Sequence, residues 1–206
     1  MKTIAAIPCY NEGLAIGSVV LKASRYVDEV LVVDDGSIDD TAEVAEAAGA
    51  TVVAHGMNNG YGAAIRSCFD YAKQQNADIM VILDGDGQHD PSKIPDFVHA
   101  LTTNGADIVI GSRFLEKKKN GNGIPRYRIA GMKVLNMSTR AAGSIKTTDS
   151  QSGYRAYSRK AIEMMRITNP DMFICAGSEI LMQVKDHDLD VVEIPITARS
   201  HSTSTP

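Results

Sequence analysis

The sequence predicts an α/β protein with a mostly parallel sheet, helices on both faces, and a ligand site at the strand carboxyl ends. Two observations carry this. Short runs of strand-forming residues alternate with helix-length segments along the first half of the chain, the pattern that builds βαβ units. Polar clusters then fall just past successive strands, at 8–12, 34–37, 84–88 and 112–113, where open α/β sheets bind ligands.

The elements follow in order. A strand is expected at 3–7 and a helix at 12–25. The strand at 29–33 ends in Asp34, Asp35, Gly36 and Ser37. The next helix starts near Asp40 and stops at Gly49, a helix-terminating glycine. A strand at 51–54 leads to Asn58, Asn59, Gly60, Tyr61 and Gly62, which open a helix running to 75. The strand at 79–83 runs into Asp84, and Asp86 follows it. Asp90 and Pro91 read as an N-cap and a first-turn proline for a helix to 103, followed by a strand at 107–111. A polar, glycine-containing loop (116–123), a helix (127–142), a strand-like segment (152–157), two shorter helices and a strand (190–196) complete the pattern. Residues 1–200 are expected to form one catalytic domain, with a mobile Ser/Thr-rich tail at 201–206.

Bulk properties exclude several classes. At 206 residues the chain is long enough to bury a full core, and its 44% hydrophobic and 22% charged residues are globular proportions. A net charge of −4 argues against nucleic acid as a partner. There is no apolar run long enough to span a bilayer and no signal-peptide pattern, so a cytoplasmic location is expected. The three cysteines, Cys9, Cys68 and Cys175, are far apart and form no CxxC pair, so neither a zinc site nor a disulfide framework is predicted. Cys9 lies in a polar loop without a sequence-adjacent base to activate it.

The most informative segment is Asp84-Gly-Asp86-Gly-Gln88, directly after an apolar strand. On an extended backbone, residues at i, i+2 and i+4 share a face. Asp84, Asp86 and Gln88 are therefore expected to offer oxygens to one Mg²⁺ or Mn²⁺ ion, leaving positions for substrate phosphates. An EF-hand is excluded, because its glycine and glutamate positions hold His89 and Pro95. A dinucleotide-binding GxGxxG is absent after the first strand, and no P-loop is present. Gly60 and Gly62 suit close backbone approach at a helix start.

The motifs at 7–12, 33–37, 59–62, 84–89 and 111–113 resemble, in type and order, those of glycosyltransferase family 2. Residues 149–155 (Asp, Ser, Gln, Ser, Gly, Tyr, Arg) and 193–196 (Glu, Ile, Pro, Ile) are similar to the polyprenol-phosphate sugar transferases of the dolichol-phosphate mannose synthase type. The resemblance covers residues 3–200. It implies a GT-A-type, Rossmann-like fold and inverting transfer of a sugar from a nucleotide-diphosphate donor. It further implies that Pro8, Tyr10, Asn11 and Glu12 line the nucleoside pocket, that Asp34 or Asp35 reaches the base, and that Gly60 belongs to the substrate site. Asp84, Asp86 and Gln88 would hold the metal against the diphosphate. Arg113 and Arg128 match phosphate-handling positions near the reacting centre, and Arg199 matches a late basic residue on the donor diphosphate. Two departures stand out. Met132 occupies a position where some relatives carry serine, and the transmembrane helices that follow the catalytic domain in many relatives are missing.

Chemistry narrows the acceptor. A hydroxyl acceptor needs a general base; the Glu-Asp pair that the resemblance implies for family members acting on sugar hydroxyls is replaced here by Ala176-Gly-Ser-Glu179. A phosphate monoester, with a second pKa of about 6, is already largely dianionic at neutral pH. The expected acceptor is therefore a polyprenyl (dolichyl) phosphate, with peripheral contact at the cytoplasmic face of a membrane. Lys117, Lys118 and Lys119 are candidates for headgroup contact. The alternatives are transfer to a sugar or protein hydroxyl with Glu179 as base, a sugar nucleotidyltransferase, and a non-catalytic nucleotide-sugar binder. Uridine and guanosine donors both remain open.

Overall fold

The computed structural model describes residues 1–115, 147–167 and 175–197, the side chains of 175–178 excepted. In chain order these residues form β1 (Thr3–Cys9), α1 (Gly13–Ala23), β2 (Glu29–Asp34), α2 (Thr41–Ala47), β3 (Thr51–Ala54), α3 (Tyr61–Gln74) and β4 (Ile79–Ile82). A 3₁₀ turn (Pro91–Lys93) leads into α4 (Ile94–Asn104), then β5 (Ile108–Ser112). After residue 147 come β6 (Arg155–Ser158), α5 (Arg159–Met164), α6 (Cys175–Asp186) and β7 (Val191–Pro195). The helix expected at 127–142, the loop at 116–123 and the tail lie outside the described residues.

The strands form one sheet in the order β3-β2-β1-β4-β6-β5-β7. Pairing is parallel except at β6, which runs antiparallel to both β4 and β5. The reversal matters for the site. Arg155, the first residue of β6, pairs with Ile82 on one side and Ile110 on the other. The chain before β6 therefore arrives at the same sheet edge where β1, β2, β4 and β5 end. The order also reverses at β1, which has β2 on one side and β4 on the other. This is a topological switch point, the place where such sheets open a crevice.

Both faces of the sheet are covered, which explains why its strands read as continuous apolar runs. Ile4, Ala6, Met80 and Ile82 pack with Phe69 of α3 and with Ala161 and Ile162 of α5. The alternate residues Ala5, Ile7, Val81 and Leu83 pack with Ile16 and Val20 of α1 and Phe97 of α4 on the other face. Phe69 meets Tyr157 edge-on, with ring centroids 4.9 Å apart. The expected helix signals appear. Gly49 N–H reaches Glu46 O at 2.9 Å and Ala50 N–H reaches Ala45 O at 3.1 Å, closing α2 in a Schellman motif. Asp90 caps the turn into α4 by accepting from Ser92 N–H at 3.0 Å.

Candidate active site

A cavity of about 490 Å³ opens at the β1/β4 switch point. The β1 end contributes Pro8, Cys9, Tyr10 and Glu12, and the start of α3 contributes Gly60 and Tyr61. The β4 end supplies Asp84 and Asp86, and the chain before β6 supplies Ser150 to Gly153, with Arg155 beside it.

The nucleoside-side candidates divide by role. Asn11 adopts φ 56° and ties two loops together. Its N–H donates to Ser37 Oγ at 2.8 Å, and its Oδ1 accepts from Ile38 N–H at 2.9 Å. Asp34 accepts from the Ser37 hydroxyl and N–H, so its carboxylate braces the turn after β2 and is not part of the cavity wall. Asp35 does line the cavity. It accepts from Asn59 N–H at 3.0 Å and Gly60 N–H at 2.8 Å, and it meets His55 Nδ1 at 2.6 Å. One carboxylate thus fixes the entry into α3. Gly60 sits at φ 89°, ψ 160°, a region open essentially to glycine alone.

The acidic segment departs from the expected geometry. The strand stops at Ile82, the chain turns at Gly85 and Asp86, and Gly87 has φ 76°. The extended alternation that would bring Gln88 onto the same face does not persist beyond Asp84. Asp84 and Asp86 line the cavity, whereas Gln88 is exposed and outside its wall. Asp86 Oδ1 instead accepts the N–H of Gln88 at 2.8 Å, a local turn bond.

His89 takes the inward position. Its Nδ1 accepts from Asp84 N–H at 3.2 Å, and burial holds its pKa below the usual histidine value. A neutral ring follows, so its 3.4 Å approach to Asp84 Oδ2 is not an ion pair. The ring stacks on Tyr154 at 4.9 Å, and Tyr154 stacks on Phe97 at 4.3 Å. This aromatic column supports the acidic turn from below. Gly153 faces Asp84 so closely that a Cβ there would sit 2.8 Å from Asp84 Oδ1.

The Asp84 carboxyl is pushed above the ordinary carboxylate range, first by burial; His89 opposes the rise most, the neighbouring Asp86 charge adds to it, and Arg113 and Arg155 also oppose it. Two crowded, partly desolvated carboxylates in a cavity wall fit a hard divalent cation, which needs only one or two such ligands. Among the described residues no group of three or more His, Cys, Asp or Glu side chains is arranged to hold an ion. The donor set therefore fits a cation completed by substrate and water, not a closed protein cage.

Arg113 follows β5 directly, as expected, but is already engaged. Its Nε and Nη2 donate to the two oxygens of Asp149 at 2.7 and 2.8 Å. Arg155 is only 4% exposed and donates from Nε to Ser152 O at 2.8 Å. Asp149 and Arg155 both belong to the 149–155 motif, and the resemblance assigns neither a role. Asp149 stands 36 positions from its partner, beyond the reach of any local spacing rule. Cys9 is buried, and its thiol is pushed up to about 12, chiefly by that burial and next by Asp34, which rules it out as a nucleophile at neutral pH. Glu179, on α6, is half-buried and not in the cavity wall. Arg128, Arg199 and Lys117 to Lys119 lie outside the described residues.

The sheet and its helices form the GT-A glycosyltransferase fold, which solved structures share. Glucosyl-3-phosphoglycerate synthase from Mycobacterium tuberculosis, in complex with Mn²⁺, UDP-glucose and phosphoglyceric acid, superposes with a TM-score of 0.73 at 23% identity, over 99% of this chain and 72% of that one. The same enzyme with Mg²⁺ and UDP gives 0.67 at 23% identity, over 99% and 72%. The family model described as glycosyl transferase family 2 matches residues 4–166, and the chain belongs to that family. Among similar curated proteins, a UDP-N-acetylglucosamine–dolichyl-phosphate N-acetylglucosaminyltransferase of Methanococcus voltae is 30% identical over 92% of this chain and 82% of its own length. A polyprenol monophosphomannose synthase of Mycolicibacterium smegmatis is 30% identical over 95% and 77%.

Proposed function

We propose that this glycosyltransferase moves a hexose from a UDP- or GDP-linked donor to a polyprenyl phosphate, with inversion at the anomeric carbon and with Mg²⁺ or Mn²⁺ as cofactor. The observation that carries the reading is the pair Asp84 and Asp86 in the wall of the switch-point cavity. The neighbouring fold, known with UDP and either metal, supports the donor and cofactor. The names of the curated relatives support the acceptor.

The residues divide the work as follows. Pro8, Tyr10, Glu12 and Asp35 flank the nucleoside, with Asn11 and Asp34 bracing their loops. Asp84 and Asp86 would hold the cation, which supplies positive charge to the diphosphate oxygens when bound. Arg113, held beside the cavity by Asp149, is proposed to meet the negative charge that grows on the leaving diphosphate. Arg128 and Arg199 are proposed to join it. An acceptor phosphate dianion attacks the anomeric carbon from the face opposite the diphosphate without surrendering a proton, so no general base is required. Among the described residues no helix is long and apolar enough to cross a membrane, and peripheral contact would bring the lipid phosphate to the site.

The test is transfer to undecaprenyl phosphate in detergent from a panel of UDP- and GDP-hexoses with Mn²⁺. Asp86→Ala is expected to abolish transfer while leaving the circular dichroism spectrum unchanged; normal turnover by that variant removes the assignment. Glu179→Gln is expected to retain activity. A loss of about 10²-fold or more, the usual worth of a general base, would favour a hydroxyl acceptor instead.

A further inference from the structure

Resting on the reading of Arg113 as a phosphate ligand, we infer that Asp149 and Glu193 are positioning residues that preset the Arg113 guanidinium for the donor diphosphate. The clamp begins on β7. Glu193 is paired in register with Ile110 of β5, three residues before Arg113. Its Oε1 accepts from Thr148 N–H at 2.8 Å and Asp149 N–H at 3.0 Å. Its Oε2 accepts from Thr148 N–H at 2.9 Å and Thr148 Oγ1–H at 2.9 Å. One carboxylate thus clamps two successive residues of the chain before β6.

The clamp extends to both ends of the arginine. Thr148 Oγ1 gives its proton to Glu193, so it accepts from Ser112 Oγ at 2.7 Å, fixing the residue before Arg113. Asp149 accepts from Arg113 three times: from N–H at 3.2 Å, Nε at 2.7 Å and Nη2 at 2.8 Å. The Asp149 side chain is 0% exposed, while that of Arg113 is 34% exposed.

This asymmetry separates a positioning device from a strut. Enclosing a carboxylate is expensive, and an apolar pair would hold the loop at lower cost. A guanidinium has five N–H donors, and the side chain of Asp149 takes only two of them, along one edge. The outer edge keeps an N–H of each Nη, a fork that suits two phosphate oxygens. Arg113 is not itself in the cavity wall, but Asp149, which holds it, directly precedes Ser150, which is, and Gly153 lies against Asp84. The guanidinium is thus held beside the cavity, where its charge and that of Asp84 act on one another. A free arginine would give up its rotamer freedom each time an anion bound; here that freedom is given up on folding.

The experiment is calorimetric titration of the full chain with Mn²⁺ and UDP or GDP, with the matching monophosphate as control. Asp149→Asn is expected to weaken diphosphate binding by about three- to tenfold, the worth of one ordered side chain, and to leave monophosphate binding unchanged. Arg113→Met is expected to weaken it further, and Asp149→Asn added to Arg113→Met to cause no further loss. Glu193→Gln, one step further back, is expected to give the same pattern at smaller size. It decides the matter if Asp149→Asn does not fold. Equal weakening of both nucleotides, additive losses, or an unaffected Arg113→Met overturns the inference. A wild-type chain that binds neither diphosphate overturns the functional reading itself, a separate outcome.

Discussion

At Asp84 folding and function pull in opposite directions. Its carboxyl is raised above the ordinary range because burial and the nearby Asp86 disfavour its charge. A raised folded-state pKa means that the native state holds the proton more tightly than the unfolded chain. Stability therefore falls as pH rises from the unfolded value through the folded one, and at neutral pH the charge is a cost. Asp84→Asn is accordingly expected to raise the melting temperature of the metal-free protein, measured by differential scanning fluorimetry in chelator, while abolishing transfer. An unchanged or lower melting temperature would contradict the desolvation argument. Such exchanges of stability for activity are expected where a site gathers like charges. This residue was legible in the sequence because an apolar strand ran straight into it. Gln88 lies outside the cavity wall because the extended spacing that would align it with Asp84 does not carry through Gly87, whose φ of 76° turns the chain away.

The elements were easier to read than their junctions. Strand β3 runs Thr51–Ala54 and α3 ends at Gln74, at or within a residue of expectation, because strand composition and left-handed helix stops, here Asn76 at φ 51°, are local properties. The Asp90 cap is a local signal too, and it has an energetic meaning. Its side chain satisfies Ser92 N–H, one of the donors a helix start leaves open. Asp90→Ala is expected to cost about 1 kcal/mol, read as a lower urea midpoint with an unchanged slope. Phe69→Ala, which empties a core position 1% exposed, is expected to cost about 3–5 kcal/mol in the same experiment. What no periodicity reveals is strand direction. The segment before Ser158 was read as strand-like, but its antiparallel insertion between β4 and β5 depends on contacts between distant parts of the chain. The pairing of Arg113 with Asp149 depends on that insertion and was hidden for the same reason.

Over the whole molecule, acid sensitivity should carry the mark of one buried ring. His89 is 7% exposed and its pKa is lowered by that burial. The unfolded chain therefore takes up the proton first. Stability from this group is complete above the ordinary histidine value of about 6.5 and is lost as pH falls through the folded value. Between pH 7.5 and 5 the wild type is expected to lose more melting temperature than His89→Gln in metal-free buffer. Parallel curves would show that the ring does not set the acid limit.

The reversed strand has a consequence for synthesis. As the chain leaves the ribosome, the first four strands can assemble on their own, but β4 then has no neighbour on its far side until residues 155–158 emerge. Strand β5, made earlier, cannot dock there, because its place is one position further out. A nascent chain released before residue 153 would carry the exposed amides and carbonyls of an apolar strand, open to pairing with another copy. The turn that bears Asp84 would also lack the wall supplied by Gly153. Premature termination in this region should therefore yield aggregates instead of a shorter working enzyme.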